Sequence, residues 1–330
     1  MNTKILRGTL ILGVLFFLTG FWTEQRSRDG QTIRINVEMV SLPVVVTTQA
    51  GKRITDLKKE DFRVFEDGVE QEIAGFAATD EPVAVALLLD TSGSTENELA
   101  NIQNAAIDFV NQLHPDDEVA IVSFADDVRL QQDFSIDRDR NEYGIKQTRS
   151  GGSTVVYEAV WLGLEDVLKP VSERKAMVLF SDGVDTSSRR ASRKETLELA
   201  RETRATIYSV YYDTGLNQFG PRMRTNIPQF PPIILGPPVY GGPGSSRIEF
   251  ASGRDYLEKL AEYSGGLMLD GRDDLRYAFA QVAKELASQY SIGYYSNNNK
   301  RDGKFRKVEI KMVGQELRAR TKKGYYARKK

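Results

Sequence analysis

Continuous apolar runs alternate along the middle of the chain with segments whose apolar positions recur every three or four residues. Val83 to Leu89 is unbroken by any polar residue and ends in Asp90. A run of that length without alternation reads as a strand buried on both faces, as in a parallel sheet. Glu118–Phe124, Lys175–Ser181, Ala205–Tyr212 and Leu267–Asp270 repeat the pattern. Between them lie helical stripes. Leu99, Ile102, Ala106, Phe109, Val110 and Leu113 share one face of a helix from Glu96 to Leu113, which His114-Pro115 stops. Val156, Val160, Leu164, Val167 and Leu168 mark a second, from Val155 to Leu168. A third covers Arg193 to Arg204, with Leu197, Leu199 and Ala200 inward. A fourth covers Gly253 to Tyr263 and stops at Gly265-Gly266, and a fifth covers Asp273 to Gln289. Val128 to Phe134 reads as an edge strand after a turn at Asp126-Asp127. Strands alternating with helices predict an α/β fold: a Rossmann-like, mostly parallel sheet covered by helices on both faces.

Both flanks switch to a period of two. Ile33, Ile35, Val37 and Met39 alternate with polar residues, and Leu42 to Thr48 is rich in β-formers. Phe62–Glu66, Asp67-Gly68 and Val69–Ile73 form a hairpin signal, because Asp-Gly suits a two-residue turn with positive φ. Near the other end, Tyr290–Tyr295, Phe305–Met312 and Leu317–Tyr326 read as strands. Neither flank is large enough to be stable alone. The expectation is one small β-sandwich-like module built from both, with the Arg34–Thr47 segment touching Lys307–Val313. The chain thus divides into 1–29, a first β part over 30–80, the α/β domain over 81–290, and a second β part over 291–330. Between residues 213 and 248 a Pro/Gly-rich insertion follows the carboxyl end of a strand, and a mobile loop is expected there.

Lys4 and Arg7 precede an uncharged, mostly apolar run from Leu10 to Trp22. This pattern predicts an export signal, either cleaved or retained as a membrane anchor, and hence an extracytoplasmic protein.

Composition narrows the chemistry. The 330 residues contain no cysteine and one histidine, His114, which falls at an exposed helix end. Disulfides, thiolate metal sites, cysteine nucleophiles and multi-histidine zinc centres are therefore excluded. Lys and Arg number 45 against 46 Asp and Glu, so no global field recruits nucleic acid. The basic residues near the C-terminus alternate along a strand pattern and read as a solvated face.

What remains are hydroxyls and carboxylates. Asp90, Ser92 and Ser94 follow the first strand at alternate positions. Ser150-Gly151-Gly152-Ser153-Thr154 is a glycine-rich loop before a helix, but it has no P-loop lysine. Ser181-Asp182-Gly183 ends a second strand in aspartate. If the two strands lie side by side, their aspartates meet at one sheet edge, where open α/β sheets bind ligands. Such oxygen donors suit a hard divalent cation.

Together, Asp90-x-Ser92-x-Ser94, Gly152-Ser153-Thr154 and Phe180-Ser181-Asp182-Gly183 resemble the von Willebrand factor type A domain, over roughly Pro82 to Gln289. The flanks, with Asp61-Phe62-x-Val64-x-Glu66-Asp67-Gly68 and Gly324-Tyr325-Tyr326, resemble a bacterial exported subgroup of that family. The resemblance implies a metal-ion-dependent adhesion site with Asp90, Ser92, Ser94, Thr154 and Asp182 as ligands, direct or through water. Ser153 competes with Thr154 for the threonine position. It implies Mg2+, with Mn2+ or Ca2+ as alternatives, and a non-enzymatic protein-binding module whose partner supplies an Asp or Glu to the cation. Two other readings stand beside it: a metal-dependent hydrolase with Asp90 as nucleophile, and a structural domain that binds no metal.

Overall fold

The computed structural model describes residues 39–212 and 247–330, apart from 173, 315, 328 and 330. The export segment and the Ile33–Val37 alternation lie outside the described residues. So does the Pro/Gly-rich stretch, except that its last two residues open a helix.

The N-terminal flank forms β1 (Met39–Thr48), β2 (Phe62–Glu66), β3 (Val69–Gln71) and β4 (Ile73–Ala77). Asp67 and Gly68 turn β2 into β3 with φ of 48° and 83°, the conformation that the Asp-Gly pair predicts. The central strands are β5 (Ala84–Asp90), β6 (Glu118–Phe124), β7 (Val128–Ser135), β8 (Lys175–Ser181), β9 (Thr206–Tyr211) and β10 (Met268–Asp270). They form one sheet in the order β10-β9-β8-β5-β6-β7. All pairings are parallel except β7, which lies antiparallel at the edge.

Residues of β5 explain why its run is continuous. Val85, Leu87 and Leu89 enter a core beneath α1 (Leu99–Gln112), α2 (Arg138–Lys146) and α6 (Leu275–Leu286). Ala86 and Leu88 enter the opposite core, beneath α3 (Val156–Leu162), α4 (Arg193–Glu202) and α5 (Arg247–Ser264). Each fully buried aliphatic side chain contributes about 1.5–3 kcal/mol. From β5 the chain crosses to β6 on one side, then returns to β8 on the other. The gap between the carboxyl ends of β5 and β8 is therefore the switch point of the sheet, where a crevice opens.

The C-terminal flank supplies β11 (Gln289–Tyr295), β12 (Phe305–Met312), β13 (Leu317–Arg320) and β14 (Gly324–Tyr326). Strands from both flanks interleave in two antiparallel sheets, β13-β1-β11-β4 and β14-β12-β2-β3. Leu42, Val44, Phe62, Val64, Tyr290, Ile292 and Val308 fill the core they share. β1 pairs with β11 and β13, whereas β12 pairs with β2. The two flanks therefore meet as expected, although the segments singled out for contact lie in different sheets and share only the core. Buried Glu285 on α6 ties the module to the helical layer. It accepts from Arg53 of one flank at 2.7 Å and from Arg320 of the other.

Several elements differ from the sequence reading. The helix after β5 starts as a 3-10 turn, Gly93–Glu98, before becoming α-helical at Leu99. α2 has no counterpart in the apolar pattern. On α4 the fully buried residues are Thr196 and Ala200, while Leu197 and Leu199 are only half-buried. The basic C-terminal stretch is not uniformly solvated, since Lys322 is buried and Arg320 is bound to Glu285. None of the described helices is long and apolar enough to cross a membrane.

Candidate functional site

Three loops converge at the switch point. The first leaves β5 at Asp90. Its carboxylate Oδ1 accepts from the Ser92 amide at 3.0 Å and the Ser92 hydroxyl at 2.6 Å. Ser92 Oγ lies 3.2 Å from Ser94 Oγ, so these three residues form one connected group. The other oxygen, Oδ2, accepts from the Ser181 hydroxyl at 2.7 Å, across the β5–β8 pairing. Side-by-side pairing of β5 and β8 thus brings the two strand ends together, as the sequence predicts.

The second loop carries Gly151 to Thr154. It is stitched to the first by Gly93 N to Gly152 O at 3.0 Å and by Gly151 N to Thr91 O at 2.9 Å. The third follows β8 through Asp182. Thr186 of that loop donates its amide to Thr154 O at 2.9 Å and accepts the Thr154 amide on its hydroxyl at 2.8 Å. Asp182 Oδ1 accepts from the Val184 amide at 2.9 Å, which fixes the turn. The five residues singled out in the sequence therefore sit on three mutually hydrogen-bonded loops around one crevice. Asp90, Ser92 and Ser94 are in direct side-chain contact. Thr154 and Asp182 occupy the adjoining loops.

Asp90 and Ser92 are each 2% exposed, Thr154 7% and Asp182 8%, while Ser94 is exposed at the mouth. Burial pushes the Asp90 carboxyl above the usual carboxylate range, against the pull of its hydrogen bonds from Ser92 and Ser181. Its hydrogen-bond partners are neutral hydroxyls and an amide. A buried carboxylate with only neutral donors is electrostatically incomplete, and a cation would restore its balance. Among the described residues no three His, Cys, Asp or Glu side chains cluster as a metal site. The crevice offers instead two carboxylates and three hydroxyls. That oxygen-only set fits a hard divalent cation that keeps some of its waters.

The structure adds residues that the sequence did not single out. Ser181 secures Asp90. Asp126, read as part of a turn, holds the glycine loop: its Oδ1 accepts from the Ser153 amide at 2.7 Å and the Ser153 hydroxyl at 2.5 Å. Those two bonds hold the Asp126 carboxyl below its usual range. Gly152 makes this clasp possible. It has φ of +77°, and a Cβ there would lie 2.0 Å from the Asp126 carboxylate. The Ser153 hydroxyl is thereby engaged by Asp126, whereas the Thr154 hydroxyl has no hydrogen-bond partner among the described residues.

The family model of the von Willebrand factor type A domain matches residues 85–184, a span that contains all five candidate residues. No curated protein matches the chain. Among solved structures, the chain is similar to the von Willebrand factor domain of the type V pili tip protein Mfa5 from Porphyromonas gingivalis. That match has 12% identity and a TM-score of 0.46, covering 62% of this chain and 94% of that one. Proximal thread matrix protein 1 from the mussel byssus, with a zinc occupied MIDAS motif, matches at 16% identity and a TM-score of 0.45. It covers 66% of this chain and 48% of that one. A von Willebrand factor type A protein from Catenulispora acidiphila matches at 12% identity and a TM-score of 0.47, covering 90% of this chain and 75% of that one. Given the family match from the first central strand to the loop beyond Asp182, the chain carries a von Willebrand factor type A domain.

Proposed function

We propose that the crevice binds a divalent cation and uses it to bind a partner protein. Asp90, Ser92, Ser94, Thr154 and Asp182 would hold the cation, directly or through water. When bound, it supplies a Lewis-acidic position that a carboxylate from outside the chain can fill. The observation that carries this reading is the buried Asp90 carboxylate at the switch point, hydrogen-bonded only to neutral groups. With neutral hydroxyls as most of the donors, the cation's charge stays incompletely neutralised. An Asp or Glu of the partner then completes it, and metal and partner strengthen each other's binding. Mg2+ or Mn2+ fits the oxygen donors better than Zn2+, which favours nitrogen and sulfur. The charged n-region and apolar stretch at the start of the sequence support an extracytoplasmic site of action. The matching family model describes a domain and no catalytic activity, which supports binding over turnover.

Thermal unfolding with and without metal tests the proposal. Mg2+ or Mn2+ at about a hundredfold excess over its Kd stabilises by about 2.7 kcal/mol, a Tm rise of about 5–10 °C. Asp90→Ala is expected to abolish the rise while leaving a folded protein. An unchanged rise in that variant would place the metal elsewhere, and no rise in the native chain would refute the proposal.

A further inference from the structure

The opposite edge of the central sheet holds a second candidate surface. A half-open groove of about 1140 Å³ runs between the end of the α3 segment, α4 and the C-terminal strand β14. It includes Lys175, the first residue of β8, whereas the crevice lies past the last. Seven residues of strand at about 3.3 Å each put the two sites ~20 Å apart.

The groove is lined by seven Lys or Arg against three Glu, in a chain with 45 Lys and Arg against 46 Asp and Glu. Part of this charge serves the fold. Lys175 Nζ donates to the carbonyls of Leu168 and Val171, at 2.7 and 2.8 Å, where a helix ends. Lys169 pairs with Glu165, Lys194 with Glu198 at 3.9 Å, and Arg193 with Asp255 at 2.5 Å. The rest does not. The Arg201 guanidinium lies 3.4 Å from the centre of the Tyr263 ring and 5.6 Å from that of Tyr326, held in place without a carboxylate partner among the described residues. Arg204 and Lys329 are exposed and likewise have none there. Leu197 and Leu199, the two half-buried leucines of α4, add apolar lining beside them.

We propose that this groove binds an acidic peptide segment of a partner protein, with carboxylates on Arg201, Arg204 and Lys329 and apolar side chains against Leu197 and Leu199. Its concavity and apolar lining suit a peptide better than a flat lipid surface. A nucleic-acid strand would need open ring faces for stacking. Here Arg201 covers the face of Tyr263, and Tyr326 packs against Phe305 at 5.4 Å. Glu202, which has no cationic partner among the described residues, would also repel a continuous phosphate backbone, whereas spaced carboxylates can avoid it. The site needs no metal in the crevice and stands apart from that proposal.

The test uses the full chain in excess chelator, so that the crevice cannot hold a metal for the probe. Fluorescence anisotropy follows a labelled glutamate–leucine peptide, with a lysine–leucine peptide, anionic phospholipid vesicles and an oligothymidylate as comparators. The expected result is salt-sensitive binding of the acidic peptide alone. Arg204→Glu with Lys329→Glu weakens it about tenfold or more, and Glu202→Lys strengthens it. Glu202 is exposed in the last turn of α4, where a cation favours the helix, so this variant folds even if the double reversal does not. No binding of the acidic peptide, equal binding of the lysine peptide, indifference to these substitutions, or binding of vesicles or oligonucleotide instead would overturn the proposal.

Discussion

Two buried carboxylates, one in the crevice and one in the β-sandwich, are satisfied to a similar degree yet do different work. Asp90 accepts from the Ser92 amide, the Ser92 hydroxyl and the Ser181 hydroxyl. Glu66, 2% exposed, accepts from Tyr294 and Tyr325, each at 2.8 Å, and from Ser296 at 2.6 Å. Counting hydrogen bonds would not tell them apart. Their donors do. Those of Glu66 come from β11, the residue after it and β14, so the carboxylate fastens the C-terminal flank to β2. Those of Asp90 include two from its own loop, and Ser92 passes the chain of oxygens on to Ser94 at the surface. One carboxylate is enclosed by the groups it staples. The other opens onto a crevice, with a second aspartate, Asp182, on the adjoining loop.

This contrast breaks down if Glu66 also answers to metal. Glu66→Ala strands three hydroxyl donors in the sandwich core and is expected to cost about 3–5 kcal/mol. The loss, read by denaturant unfolding, should be equal with and without Mg2+. A loss present only with metal would erase the distinction.

Lys322 sharpens the contrast from the other side, as a buried cation in the sandwich half. Burial pulls its ammonium down to about 8 from an ordinary value of 10.5. Below pH 8 both folded and unfolded chains carry the proton and the destabilisation is complete. Between pH 8 and 10.5 the unfolded chain holds more protons, so stability rises with pH across that window. Lys322→Met should stabilise at pH 7, on the order of 3 kcal/mol, and flatten the rise. A pH profile unchanged by the substitution would refute this account.

The smallest effect concerns Asp126. It touches the glycine loop rather than the crevice, so Asp126→Ala should weaken metal binding about tenfold with little change in the metal-free protein. Ser153→Ala, which removes part of the same clasp, should act in the same direction and less. If Ser153→Ala instead removes metal binding entirely, Ser153 rather than Thr154 is the hydroxyl donor.

Elements that bury both faces are legible in the amino-acid pattern itself. β5 and β8 read directly because nearly all of their positions are apolar or lie at the site. Asp90, Ser92, Ser94 and Asp182 are legible because they close or follow those strands. α2 is not, because its sequence is mostly charged and its clearest signal is the Asp137 cap, which accepts from the amides of Asp139 and Arg140. Asp126 is hidden for another reason. Its role depends on a positive-φ glycine that carries Ser153 onto it across 27 positions of chain. Glu66 reads as one polar residue in a hairpin, since its partners lie 228 to 259 positions away. Lys322 escapes the strand pattern because it falls between β13 and β14, where alternation no longer tells inside from outside.

The interleaving of the flanks also sets an order of assembly. β1 finds its partner in β11, as at Ser41 and Ser291, 250 positions later. The central sheet needs only chain between β5 and β10, so it can condense while the C-terminal flank is still being made. The β2–β3 hairpin closes on itself, but β1 and β4 must wait for β11, and β2 for β12, and contacts of such separation form slowly. Until then the β1 run Val44-Val45-Val46 remains an unpaired, apolar edge able to pair with other chains. The C-terminal strands are thus the cap that ends this exposure, and a chain truncated before β11 is expected to aggregate although its α/β sheet is complete.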